Sequence, residues 1–236
     1  DWQFPVDGYG VIEVNMEKRK FKMEHGLLAL MGIPLEMSLE FGNAIDLPVY
    51  YIRLENEGFA LADVLRQEPY RHLYPDASID GTGYFKLDFQ GDLSEAPHTR
   101  FQLYLKDLQF TDPSRAHPFQ AGRINVIYHD PRLEIMSSTL KLGLSDVEVN
   151  VVWPQWYGNR VKATLDSHYL LLRELTFFPR CWDYLMGRQF KANAKIEQLV
   201  CDGNDLRQVD CDVSASANQA LLFDLKSARQ GAGSLS

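Results

Sequence analysis

The stretch DGTGYFKLDFQGDL, from Asp80 to Leu93, alternates apolar and polar side chains between glycines. Phe85, Leu87 and Phe89 occupy every second position, and a lysine and an aspartate stand between them. Successive side chains of a β-strand point to opposite faces of its sheet. The stretch therefore predicts a strand with one apolar face and one solvated face.

The same alternation recurs along most of the chain, and turn-forming pairs such as Gly42-Asn43, Gly91-Asp92 and Asp130-Pro131 interrupt it. Short alternating runs at roughly 8–12-residue spacing are typical of an all-β protein built from antiparallel hairpins. Helical spacing of apolar residues is confined to two segments, near residues 59–67 and 169–186. The sequence therefore predicts an all-β fold with one or two short helices.

Two regions, about 49–110 and 160–236, share an order of elements and are interpreted as weak internal repeats. In each, a strand leads to a short helical turn, a loop with proline, a glycine and an amphipathic strand. The chain does not begin with Met, and an alternating pattern starts near its first residue. We therefore expect residues 1–236 to form a single β segment of a longer protein, with any membrane anchor in segments outside this chain.

Composition narrows the class of partner. The formal net charge of the 236 residues is −8, which argues against nucleic acid because phosphate binding needs a basic surface. Hydrophobic residues make up 45% of the chain, so a folded core is expected. No apolar run approaches the roughly 20 residues that span a bilayer.

Side chains with catalytic potential are scattered. Among the six histidines, His25, His129 and His168 each stand next to or near a carboxylate, but none has a second ligand at metal spacing. No phosphate-binding loop, nucleophile elbow or dinucleotide fingerprint occurs. The sequence predicts a protein that is not an enzyme and that uses no cofactor or metal.

Cys201 and Cys211 flank the turn Asp202-Gly203-Asn204 and are expected on neighbouring strands. In an oxidising compartment they could pair and leave Cys181 alone. The other reading is two buried thiols without a bridge. Three cysteines are compatible with either compartment.

Two longer patterns resemble a known family. The first is LENEGFALADVLRQEP followed by IDGTGYFKLDFQGDL, from Leu54 to Leu93. The second is the ending FKANAKIEQLVCDGNDLRQVDCDVSASANQALLFDLKSARQGAGSLS, from Phe190 to Ser236. Both resemble the AsmA-like family, the TamB- and YhdP-type envelope proteins of Gram-negative bacteria. The shared features are spacings of small and apolar residues and cover most of the chain.

This resemblance implies an extended, strongly bent antiparallel sheet that forms a U-shaped groove. It also implies a periplasmic location, as part of a protein anchored in the inner membrane. Members are implicated in phospholipid transport between the inner and outer membranes or in outer-membrane assembly, so acyl chains and other envelope proteins are the implied partners. The family supplies no catalytic residues to carry over.

The expected site is a seam of apolar side chains on one concave side of the sheet, with Glu36, Lys86 and Glu148 facing solvent. Two other readings stay open: a structural or interaction β-sandwich module without a lipid ligand, and a carbohydrate-active or other enzyme on a β scaffold. The lipid-groove candidates are Leu35, Met37, Leu39, Phe41, Phe85, Leu87, Phe89, Val147, Val149 and Val151.

Overall fold

The computed structural model confirms the all-β class: its strands form one fourteen-stranded, mostly antiparallel sheet. It describes residues 6–15, 20–30, 33–44, 47–67, 70–73, 75–92, 98–113, 117–155, 158, 160–177, 189–201, 203–215 and 222–230.

The elements follow one another in short connections along the chain. They are β1 (Val6–Asn15), β2 (Lys20–Leu30), β3 (Ile33–Ala44), β4 (Leu47–Ala60), α1 (Leu61–Leu65), α2 (Tyr70–Leu73), β5 (Ser78–Asp92), β6 (His98–Thr111), β7 (Phe119–His129), β8 (Arg132–Ser137), β9 (Leu140–Leu142), β10 (Ser145–Trp153), β11 (Arg160–Leu171), a 3₁₀ helix (Leu172–Phe177), β12 (Gln189–Cys201), β13 (Asn204–Ala215) and β14 (Leu222–Gln230).

The predicted helices are found in shortened form. The segment near 59–67 contains α1, but its first two residues complete strand β4. In the segment near 169–186, residues 169–171 still belong to β11 and a 3₁₀ helix follows them. The prediction of helix there was wrong for those three residues, because strand pairing with β12 continues to Leu171. Residues 178–186 lie outside the described part of the chain.

The strand order is β1 to β8 and then β10 to β14, and the short β9 pairs with β7 and β10. One pair departs from the hairpin pattern: β11 and β12 are parallel, with Leu165 opposite Ala194. Parallel neighbours need a crossover connection of a dozen or more residues, and the chain between these strands runs from 172 to 188. The corresponding pair in the first predicted repeat, β4 with β5, is antiparallel.

The chain divides into two compact units. Unit 1 comprises residues 1–106 and 126–130, and unit 2 comprises residues 107–125 and 131–236. The buried apolar residues described in unit 1 are Met23, Leu35 and Leu61. In unit 2 they are Leu108, Phe119, Ala121, Leu142, Val147, Trp153, Val161, Leu170, Phe190, Ala194, Ile196, Val209, Cys211 and Val213.

Bulges interrupt the alternation in unit 1. On β2, the pairing with β3 shifts between Met23 and Gly26, and His25 adopts a φ of 56°. On β4, the pairing with β5 shifts after Asn56, whose buried side chain accepts a hydrogen bond from the Gly58 N–H at 2.6 Å. The same amide donates to the Pro34 carbonyl on the other side. Such bulges bend a strand and re-aim the side chains that follow.

In unit 2, three neighbouring strands change their facing at the same level. Apolar residues are spaced by two until one row, Ser167, Ile196 and Val209, and the next row is Leu170, Leu199 and Leu206. Two consecutive residues therefore separate the inward rows on every strand. The first of these is exposed in each case, and one of them, Gln208, has a φ of 51°. We call His168, Glu197 and Gln208 the corner row.

The 3₁₀ helix is fastened to the β9–β10 turn by Glu174. Its carboxylate accepts hydrogen bonds from the Leu144 N–H at 3.2 Å, the Ser145 N–H at 2.9 Å and the Ser145 hydroxyl at 2.5 Å. The Ser145 oxygen in turn accepts from the Leu171 N–H at 2.9 Å. Because Ser145 is fully buried, its hydroxyl serves packing and backbone satisfaction.

Cys201 and Cys211 lie on neighbouring strands, as expected, but they do not approach each other. Cys211 is opposite Ala194 on β12, whereas Cys201 is opposite Asn204. Seven positions along a strand amount to about 23 Å, which is far beyond the reach of a disulfide. A bridge between these two cysteines is excluded, and Cys181 lies outside the described residues.

Candidate apolar binding face

Seven of the ten candidate residues lie on one face of unit 1, which we call the apolar face. Strand β4 connects those on β3 with those on β5: Met37 is opposite Leu54, and Leu54 is opposite Leu87. In the next row, Leu39 is opposite Ile52, which is opposite Phe89. Directly opposed residues of antiparallel strands point to the same side. The register therefore joins these side chains into one surface.

Aromatic side chains mark two borders of this face. Phe41 contacts Phe21 and Tyr50, with ring centroids 6.0 Å and 6.2 Å apart. Phe85 makes an edge-to-face contact with Phe101 of β6 at 5.4 Å. These spacings are those of stabilising aromatic pairs. The apolar surface thus extends from β2 to β6 within unit 1.

The central rows of the apolar face are half-buried. Leu35, near one end, is 3% exposed, whereas Phe41 keeps 36% of its surface. Met37, Leu39, Ile52, Leu54, Leu87 and Phe89 have intermediate exposure. In a closed two-layer core, central positions of this kind are normally fully buried.

The opposite face of the same strands is charged, as the alternation predicts. Asp88 accepts hydrogen bonds from the Arg53 Nε at 2.7 Å and the Tyr51 hydroxyl at 2.8 Å. Lys86 lies 3.8 Å from Glu55, and Lys20 lies 3.0 Å from Glu40. Burial acts to raise the pKa of Asp88, but the bonds from Arg53 and Tyr51 outweigh it and hold that pKa below its usual value.

The three remaining candidates, Val147, Val149 and Val151, lie on β10 in unit 2. Val149 is opposite Leu165, and the row continues through Ala194 to Cys211. This surface is more enclosed than the apolar face of unit 1: Val147 is 2% exposed, and Ala194 and Cys211 are 3% exposed. Burial is also the main cause of the raised pKa of the Cys211 thiol. That all ten candidates share one side stays a prediction.

Unit 2 also carries a polar cavity that sequence reasoning missed. Its volume is about 470 Å³. The imidazole Nδ1 of His168 lies 3.1 Å from a carboxylate oxygen of Glu197 on the adjacent strand, and this contact is the main cause of the raised pKa of His168. The sequence placed Asp166 on the face of His168, and both line the cavity, but Glu197 is too distant in sequence to be found without the parallel register. The charged residues lining it are Asp146, Glu148, Asp166, His168, Lys195, Glu197 and Asp210.

The cavity offers no evident chemistry. Its histidine and its ion-pair partner are 77% and 71% exposed, so water screens their interaction. Within the described ranges, no group of three histidine, cysteine or acidic side chains is placed to hold a metal ion.

Comparison with known proteins identifies no relative: no family model, curated protein or solved structure matches the chain. Among the helices in the described residues, none has the length and hydropathy to cross a bilayer.

Proposed function

We propose that the apolar face of unit 1 binds the acyl chains of phospholipids. The observation that carries this proposal is the continuous surface of Met37, Leu39, Leu54, Leu87 and Phe89, whose members share one side and keep partial exposure. Apolar surface left in contact with water favours an apolar ligand. Each methylene moved from water to such a surface gains about 0.8 kcal/mol.

The charged opposite face supports the same direction. Its side chains are held in ion pairs and hydrogen bonds across β3, β4 and β5, as at Arg53 and Asp88. Covering that face with an apolar layer would cost the hydration of these charges. The apolar face is therefore the one available for an apolar partner, as in antiparallel sheets with one solvated side.

The wider role rests on the sequence resemblance. We propose a groove segment of an AsmA-like envelope protein in the periplasm of a Gram-negative bacterium, in phospholipid transport between the membranes or in outer-membrane assembly. The bulges at His25 and Asn56 support a bent sheet, because bulges bend strands. Other envelope proteins are the expected partners.

The competing proposal is a structural or interaction module in which the apolar face packs against another protein layer. The intermediate exposure of Leu87 distinguishes the two, because the same substitution has different consequences in each case. On an open face, water reaches an introduced charge when no lipid is bound. In a closed core, the charge is buried without a partner, and unfolding follows.

The test compares Leu87→Asp with Gln90→Asp, which places the same charge on the exposed polar side of the same strand. Lipid is quantified by mass spectrometry after detergent-free purification and after incubation with phosphatidylethanolamine–phosphatidylglycerol vesicles. We expect both variants to fold, Leu87→Asp to lose most of its bound phospholipid and Gln90→Asp to retain it. A parent chain that takes up no phospholipid, an unchanged amount in Leu87→Asp, or unfolding of Leu87→Asp alone contradicts the proposal.

A further inference from the structure

Strand β14 forms an exposed border of the sheet. Among the described residues it pairs with β13 alone, and every described side chain from Asp224 to Arg229 is exposed. Leu225 is 53% exposed, although it continues the row of Val149, Leu165 and Cys211. An edge strand presents unpaired N–H and C=O groups that can pair with another strand.

The charges on β14 differ in whether they are already neutralised. The Lys226 ammonium lies 2.7 Å from Asp212, and this contact is the main cause of the raised pKa of Lys226. Within the described part of the chain, neither Asp224 nor Arg229 has an ion-pair partner. One negative and one positive group are therefore available at the two ends of the same exposed strand.

These two charges are placed to satisfy each other in a second copy. If two β14 strands run antiparallel about a two-fold axis between Lys226 and Ser227, each Asp224 is opposite the other copy's Arg229. The same register places Leu225 opposite Ala228 and Lys226 opposite Ser227. Every opposed pair then combines unlike charges, two apolar side chains, or a neutralised lysine with a hydroxyl, which are favourable cross-strand pairs.

The facing of the side chains agrees with this register. Asp224 and Arg229 are opposite Asp212 and Arg207 on β13, both on the polar side, whereas Leu225 is opposite Cys211 on the apolar side. The pairing shifts between Leu225 and Ser227, so Lys226 is an additional residue that restores Ser227 to the polar side opposite Asp210. Ala228, next along the strand, then returns to the side of Leu225.

We propose that β14 is a dimerisation edge at which two copies of this chain join their sheets in the register Asp224 to Arg229. A two-fold pairing of one strand with itself closes the assembly at two copies, whereas pairing two different edges would give open chains. Lysines and bulges on edge strands normally oppose such pairing. Here Asp212 neutralises the lysine, the residue opposite it is neutral, and the bulge lies at the axis with regular strand on both sides.

Charge reversal tests the register directly. Asp224→Arg and Arg229→Asp each create two like-charge pairs across the axis, and the double variant restores two opposite-charge pairs. We expect each single variant to raise the dissociation constant of the dimer about tenfold and the double variant to return to the parent value. Sedimentation of the full chain between roughly 1 and 100 µM, where small interfaces dissociate, provides the measurement.

Glu13→Arg is the matched control, because Glu13 is an exposed charge on β1 at the other end of the strand order. Its dissociation constant should equal that of the parent, and circular dichroism should show all four variants folded. A parent that stays monomeric over the whole range overturns the proposal. So does a double variant that stays weakened, or a Glu13→Arg variant that dissociates like the single reversals.

Discussion

The ring of Phe59 lies directly over Gly83, its partner on the neighbouring strand, and occupies the space that a β-carbon at that position would need. The pair follows the bulge after Asn56, so the ring covers the glycine where β4 leads into α1. An aromatic side chain above a strand glycine replaces the packing that the glycine lacks.

We expect Gly83→Ala to lower the free energy of unfolding by about 1–3 kcal/mol, because the methyl group would displace the ring of Phe59. Gly42→Ala is the control: a β-carbon there meets no atom within 4 Å, and the loss of glycine's freedom in the unfolded chain predicts no change or a small gain. Urea denaturation of both variants measures the difference. Equal stabilities would show that the ring moves away without cost.

Glu174 should contribute strongly to the stability of unit 2. Glu174→Gln keeps the shape but replaces one acceptor oxygen with an NH₂ group that faces the N–H and O–H donors of Leu144 and Ser145. We expect a loss of about 1–3 kcal/mol, as for a buried donor without an acceptor. Glu197→Gln, in an exposed ion pair, should change stability by less than about 1 kcal/mol. Thermal unfolding checks both, and similar effects would contradict the assignment.

Asp88 should make unit 1 sensitive to acid. Its folded pKa is lowered, so its contribution is present above the unfolded pKa of about 3.9 and is lost as the pH falls through the folded value. We expect Asp88→Asn to cost about 1–2 kcal/mol at neutral pH and the difference from the parent to shrink below about pH 4. Asp63→Asn, which breaks an exposed pair with Arg66, should show little effect. Urea titrations at several pH values decide, and a difference independent of pH refutes the prediction.

His168 should titrate at a higher pH than an ordinary histidine. The bond to Glu197 is the main cause of the raised pKa, with Asp146 and Glu148 adding to it. Any stabilisation from this pair is fully present below the unfolded pKa of about 6.5 and is lost as the pH rises through the folded value. Glu197→Gln should move the His168 midpoint towards that ordinary value in an NMR titration. His129, for which no ion pair is described, provides the internal reference.

Alternation in the sequence was sufficient to predict the class of fold and the shared side of the candidates in unit 1. The period of two at Phe85, Leu87 and Phe89 is preserved because β5 is regular there. Interruptions were harder to predict, since the residues at the corner row are polar and resemble ordinary solvent-facing positions. Gln208 adopts a left-handed backbone that glycine or asparagine would have signalled.

The parallel pairing of β11 with β12 was also beyond the sequence pattern. Alternation fixes which side each residue of a strand faces, but it does not fix the direction of the neighbouring strand. The pair His168–Glu197 and the polar cavity depend on that direction, so no local signal indicated them. The separation of Cys201 from Cys211 was predictable in principle, because the turn at Asp202–Asn204 places them at unequal distances from the hairpin end.

The corner row also limits how the length of unit 2 can change. Deleting Gln208 alone would leave Leu206 and Val209 two positions apart, so β13 would become regular while β11 and β12 kept their extra residues. All residues beyond the deletion would then lose their register with β12 and face the wrong side. A tolerated deletion would have to remove one residue from each of the three strands at the same level. Insertions and deletions at this level should therefore occur together in all three strands or not at all.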